Sequence, residues 1–133
     1  GMDIALCGIN KERNLLYYAG ANRPLVIIRN DEIIDVDADR KSIGGVTYED
    51  NTFSKKEIVV QKGDLLYLFS DGYVDQFGGE SGKKLKSKPF KELLLSIHSL
   101  SMDVQKEKLM DAFENWKGNL EQIDDVCVMG VKI

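Results

Sequence analysis

Leu65-Leu66-Tyr67-Leu68-Phe69 puts five large apolar side chains in succession and then stops at Ser70-Asp71-Gly72. A run with no polar face reads as a strand buried on both faces, and Lys62-Gly63 before it is a turn signal. The chain therefore has to build a layered core around this segment. A carboxylate is delivered to the strand's end, at the rim of that core. Asp71 is costly there unless something compensates its charge, and a hard divalent cation or a capped turn are the two usual ways. Gly72 lets the chain turn sharply next to it.

Alternating apolar residues predict further strands over 3–9, 14–19, 25–29 and 33–36, joined by polar turns at 10–13, 20–24 and 30–32 and read together as an antiparallel meander. Residues 37–51, polar and carrying Gly44-Gly45, read as a loop, and residues 57–60 as the strand before 65–69. The glycine-rich stretch 78–84 reads as a flexible loop; with no strand-to-helix cradle after it, it is a poor phosphate-binding loop. From Pro89, Phe90, Leu93, Leu94 and Ile97 recur at helical spacing. Met102, Leu109, Phe113 and Trp116 mark a second helix that stops near Gly118. Val126-Cys127-Val128-Met129-Gly130-Val131 closes the chain as a strand, directly after Asp124-Asp125. The sum is an α+β fold of about six or seven mainly antiparallel strands with a helical layer.

The 133 residues fit a single domain spanning 1–133. A net charge of −4, with lysines interspersed among acids, argues against nucleic-acid binding; the local lysine cluster over 83–88 reads as a solvated loop. Cys7 and Cys127 sit in apolar runs without zinc-motif spacing and read as buried reduced thiols. No stretch approaches the roughly 20 apolar residues of a membrane span and no leader is visible, so no membrane contact and a cytoplasmic location are expected. The strand pattern begins almost at the first residue. That suits a cut through a larger domain, and equally a tag glycine before a start methionine.

Two apolar strands carry acids at their ends, Asp71 after one and Asp124-Asp125 before another. Neighbouring antiparallel strands would bring these ends to one edge of a sheet. Oxygen ligands without histidine or cysteine suit Mg²⁺ or Mn²⁺, and a metal-bound water could attack a phosphoryl group. Taken singly, Ser-Asp-Gly and Asp-Asp are more often turns than ligands. Arg23 beside Pro24 is by default a solvated loop residue, with a substrate phosphate as the alternative partner. His98 reads as a boundary residue of its helix and Trp116 as core.

Tyr18-Ala19-Gly20-Ala21-Asn22-Arg23-Pro24-Leu25, the Ile43-Gly44 pair, residues 65–76 and Asp124-Asp125-Val126-Cys127-Val128 occur in the order found in the PP2C-type serine/threonine phosphatases of the bacterial SpoIIE/RsbU group. The chain resembles the C-terminal portion of that domain. The resemblance implies a partial αββα sandwich that hydrolyses phosphoserine or phosphothreonine with two Mn²⁺ or Mg²⁺ ions, acting on a protein such as an anti-sigma-factor antagonist. It makes Asp71 and Asp124 metal ligands and Asp75 a ligand of a further, weaker metal, with Asp125 a neighbour of the site. Two features depart from the pattern. The first metal-binding motif, an aspartate followed closely by Gly-His-Gly, is absent from this sequence, and Ala21 stands where the family often has histidine. The expectation is a truncated phosphatase domain lacking its N-terminal part and inactive alone. The alternative is a non-catalytic PP2C-like binding module, or a homodimer formed through exposed sheet.

Overall fold

A computed structural model describes residues 1–44 and 52–133. The elements run β1 (Ile4–Asn10), β2 (Leu15–Ala21), β3 (Leu25–Arg29), β4 (Glu32–Val36), β5 (Lys56–Val59), β6 (Leu65–Phe69), β7 (Phe77–Gly78), β8 (Lys83–Lys84), α1 (Ser87–Ile97), α2 (Met102–Lys117) and β9 (Val128–Lys132). They form one sheet of order β1-β2-β5, a second of order β4-β3-β6-β9, and the small β7-β8 hairpin. Every pairing between these strands is antiparallel.

The uninterrupted apolar character of β3 and β6 follows from their place as inner strands of the second sheet. Val26, Ile28, Leu65, Tyr67 and Phe69 join Phe90 and Leu94 of α1 and Phe113 of α2 in one core. Leu25, Ile27 and Leu66 turn to the other side and meet Leu16 and Tyr18 of β2 in a second. Successive strand residues point to opposite faces, so β6 is buried on both, as its sequence predicts. The order of layers is helices, sheet, sheet.

Local chemistry sets the helix ends. Pro89 sits in the first turn of α1, where its missing N–H costs no hydrogen bond. The Val104 amide donates to the Ser101 side chain at the start of α2, Asp103 and Lys117 match the helix dipole at its two ends, and Gly118 closes it with φ 55°.

Four expectations change. The first four strands do not form one meander, because the chain crosses between sheets at Asn22-Arg23-Pro24: β1 and β2 pair in one sheet, β3 and β4 in the other. The stretch 78–84 contains part of the β7-β8 ladder, Gly79 and Gly82 adopting the left-handed φ of 66° and 63° that the tight reversal needs. The last strand begins at Val128 rather than Val126, since the Cys127 amide donates to the Ser70 hydroxyl rather than to a strand backbone. Cys127 is exposed and Cys7 half-buried, both as free thiols: Cys7 lies on the edge strand β1 and Cys127 just ahead of the edge strand β9. The expected 37–51 loop lies partly outside the described residues. Among the described residues no helix is long and apolar enough to cross a membrane.

Candidate functional site

The end of β6 and the approach to β9 are fastened together by side chain and backbone. The Ser70 hydroxyl donates to the Asp125 carbonyl at 3.0 Å and accepts from the Cys127 amide at 3.0 Å, while the Ser70 amide donates to the Cys127 carbonyl at 3.0 Å. Gly72 is pressed so closely against Asp125 that an added Cβ would overlap the Asp125 carbonyl oxygen. The turn carrying Asp71 thus lies against the Asp125 backbone at the end of β6, while the Asp71 carboxylate pairs with Arg23 and the Asp124 carboxylate accepts from the Asp125 amide. The Asp125 amide donates to the Asp124 carboxylate at 2.8 Å, which stiffens that corner.

The crossover between sheets delivers a cation to the same place. Arg23 places Nη1 2.6 Å from Asp71 Oδ1 and Nη2 3.2 Å from Asp3 Oδ2, bridging the two carboxylates. Its side chain is only 20% exposed, which corrects the reading of it as a solvated loop residue. Asp3 in turn accepts from Ser42 Oγ at 2.5 Å and Asn22 Nδ2 at 3.0 Å. These hydrogen bonds, with Arg23 and the N-terminal charge, outweigh slight desolvation and hold the Asp3 carboxyl below the usual range. Ile43 exchanges backbone hydrogen bonds with Met2 at 2.7 and 2.8 Å, so the Ile43-Gly44 pair belongs to this corner as well. A hollow of about 260 Å³, lined by Asp3, Arg23, Ser70 and Cys127 together with apolar side chains, opens beside it.

Asp75 is placed differently. Its amide donates to the Asp71 carbonyl at 2.9 Å, within one turn, but its carboxylate faces Lys84 at 3.6 Å. Sequence reasoning missed Asp3, Asn22 and Ser42. Asp3 read as the opening residue of a strand, and only the register that lays Met2 against Ile43 brings Ser42 to it. His98 pairs with Asp31 at 2.8 Å at the end of α1, and neither belongs to this corner.

The donor set at the corner is all oxygen, which suits a hard divalent cation in kind. In number it is a partial fit. Among the described residues no group of three or more His, Cys, Asp or Glu side chains stands close enough to hold a metal ion, and the charge of Asp71 is already met by Arg23. A larger groove of about 640 Å³ lies between α2 and β9, walled by Tyr67, Met102, Leu109, Met110, Phe113 and Met129 among others, and includes neither Asp71 nor Asp124.

The sequence model of the family described as Stage II sporulation protein E (SpoIIE) matches residues 2–133. Among solved structures, the SiaA-PP2C domain of Pseudomonas aeruginosa is similar at a TM-score of 0.90 and 25% identity, covering 98% of this chain and 51% of that one. The phosphatase domain of the cell fate determinant SpoIIE from Bacillus subtilis is similar at 0.67 and 16%, covering 98% of this chain and 58% of that one. The RsbU and RsbW domains of a Mycobacterium tuberculosis protein are similar at 0.71 and 18%, covering 98% of this chain and 35% of that one. The chain spans about half the length of the first two. No curated protein matches it.

Proposed function

Since this chain belongs to the SpoIIE family, with a fold matching PP2C phosphatase domains, we propose that it is one part of a metal-dependent protein serine/threonine phosphatase in bacterial signalling. The observation that carries the reading is the fastening of the Ser70-Asp71-Gly72 turn to the Asp125 backbone, which sets the end of β6 beside the segment carrying Asp124-Asp125. Asp71 and Asp124 are the ligands this chain would give to Mn²⁺ or Mg²⁺, and Asp75, turning from Lys84, would serve a weaker third ion. When bound, a divalent cation would supply a water acidic enough to attack a phosphoryl group. The chain's own contribution would be placement: Ser70 and Gly72 hold the turn that carries Asp71 against the Asp125–Cys127 backbone. The substrate would be a phosphoserine or phosphothreonine protein such as an anti-sigma-factor antagonist, by likeness to the family.

The 133 residues contain no aspartate followed closely by Gly-His-Gly. We therefore expect hydrolysis to require further carboxylates from the part of the domain that the longer relatives have and this chain does not cover. A second reading, a non-catalytic PP2C-like binding or dimerisation module, draws support from the guanidinium already seated on Asp71.

The test is Mn²⁺-dependent hydrolysis of p-nitrophenyl phosphate and of a phosphoserine protein, by this chain and by a longer chain carrying the remaining half of the domain. Hydrolysis by the longer chain alone, lowered at least about 100-fold by Asp71→Asn or Asp124→Asn, is expected, since even outer-shell partners of metal ligands are worth about 10–100-fold. No hydrolysis of either substrate by either chain would select the binding module.

A further inference from the structure

We propose that residues 83–91 form a docking surface for a short acidic segment of a partner protein, beside the turn that carries Asp71. As the landing place of a protein substrate it rests on the phosphatase reading above; the capture of an acidic segment does not.

Residues 81–91 hold five lysines and no acid, within a chain whose net charge is −4. In sequence such a run reads as a solvated loop, but the backbone that carries it is fixed. β8 pairs with β7 in the register Phe77 to Lys84 and Gly78 to Lys83. Past that ladder the Leu85 amide donates to the Gln76 carbonyl at 3.1 Å and the Lys86 amide to the Val74 carbonyl at 2.8 Å. Gln76 is wholly buried, and its carbonyl also accepts Trp116 Nε1 from α2 at 2.7 Å. A Cβ at Gly78 would overlap the Trp116 carbonyl oxygen, so the hairpin lies flush against α2. A partner arriving here orders lysine side chains only, and the entropy of ordering a loop is not lost on binding.

The charge on this platform is only partly met from within the chain. Lys84 pairs with Asp75 at 3.6 Å and Lys91 with Asp35 at 2.7 Å. Lys83, Lys86 and Lys88 are exposed and, among the described residues, have no carboxylate within ion-pair distance. α1 begins at the same place with no acid in its first turn and no side-chain cap, so the positive end of the helix adds to the field of the lysines. Three unpaired cations within six residues suit carboxylates spaced along a short peptide. A nucleic acid suits them less, because its charges continue at about one per 1.7 Å of duplex, past the patch and onto the surface of a net acidic chain. The surface also adjoins the candidate site: Lys84 faces Asp75, whose amide donates to the Asp71 carbonyl at 2.9 Å.

The experiment is backbone-amide NMR of this chain titrated with a synthetic peptide of about ten residues alternating Glu and Ser, long enough when extended to cross the patch. Calorimetry gives the affinity for wild type, for K83E/K86E/K88E, and for K11E/K62E/K108E, which makes the same charge change at three other exposed lysines. Expected are shifts centred on residues 83–91, binding that weakens as salt is added, and a loss of about tenfold or more in the first variant with a much smaller loss in the second. A single-stranded oligonucleotide of equal charge should bind more weakly than the peptide. No peptide binding, equal losses in the two variants, or tighter binding of the oligonucleotide would overturn the proposal. If the first variant fails to fold, the wild-type shift map decides, and shifts scattered over lysines elsewhere overturn it as well. Peptide capture at 83–91 with no hydrolysis by the longer chain would keep the docking surface and remove the phosphatase reading.

Discussion

Asp64, just ahead of β6, is the most deeply buried carboxylate among the described residues, at 2% exposure. Arg29 Nη2 lies 2.6 Å from Oδ2 and Nε 3.0 Å from Oδ1, and the Gln61 amide donates at 2.8 Å. Burial pushes the carboxyl up, but the Arg29 hydrogen bonds, the Gln61 amide and the guanidinium charge together carry it below its ordinary value. A pKa lowered by folding means that the unfolded chain holds the proton more tightly. The stability gained is complete above about pH 4, the unfolded value, and lost as pH falls through the folded one. Asp64→Asn should cost about 3 kcal/mol at pH 7, the scale for breaking one partner of a buried pair. The difference from wild type should shrink at pH 3. Urea unfolding at the two pH values measures it, and an equal loss at both would refute the linkage. In the sequence Asp64 merely precedes the apolar run; that its partner is Arg29 follows only from the β3-β6 pairing, which sets the two strands antiparallel.

At the scale of elements, the junction between β6 and β9 is where the fold makes the site. Gly72→Ala inserts a methyl where the Asp125 carbonyl sits, with the Val126 Cα only 3.2 Å away, so the two segments must part. A loss of about 2 kcal/mol is expected, together with faster hydrogen exchange of the Cys127 amide that Ser70 holds. Gly8→Ala is the control, since nothing lies within 4 Å of the added Cβ. Equal effects of the two substitutions would mean that the close approach at Gly72 is not what fastens the junction. Most elements are legible in the sequence. β3 and β6 match their expected bounds and both helices appear, because periodicity and capping are local signals. The start of β9 is not legible, because Val126 and Cys127 are apolar like a strand, yet a side chain 57 positions away takes the Cys127 amide.

Across the whole molecule, the outer face of the β1-β2-β5 sheet has no layer over it among the described residues. Leu16 and Tyr18 of β2 point into the core between the sheets, whereas Leu6 of β1 is 64% exposed and Val59 of β5 63% exposed. Large apolar side chains left exposed on an uncovered sheet face suit a contact with a second surface. The 133-residue chain is expected to self-associate at high concentration through it, and Leu6→Lys with Val59→Lys to abolish the association without lowering the melting temperature. Sedimentation at rising concentration reads the first effect and thermal unfolding the second. A monomer at all concentrations in wild type would argue against this face as a contact surface.

The sequence by itself determined most of the elements, the two-sided burial of β6 and the arrival of Asp71 at its end, because each follows from neighbours along the chain. Tertiary structure alone decided that β1-β2 and β3-β4 lie in different sheets and that residues as distant as Asp3, Arg23, Ser42 and Asp71 meet in one network. The reason is physical: strand register and the crossover at Asn22-Arg23-Pro24 are set by packing two apolar cores at once, and an arginine in a loop acquires its partners only when that packing brings two carboxylates to it.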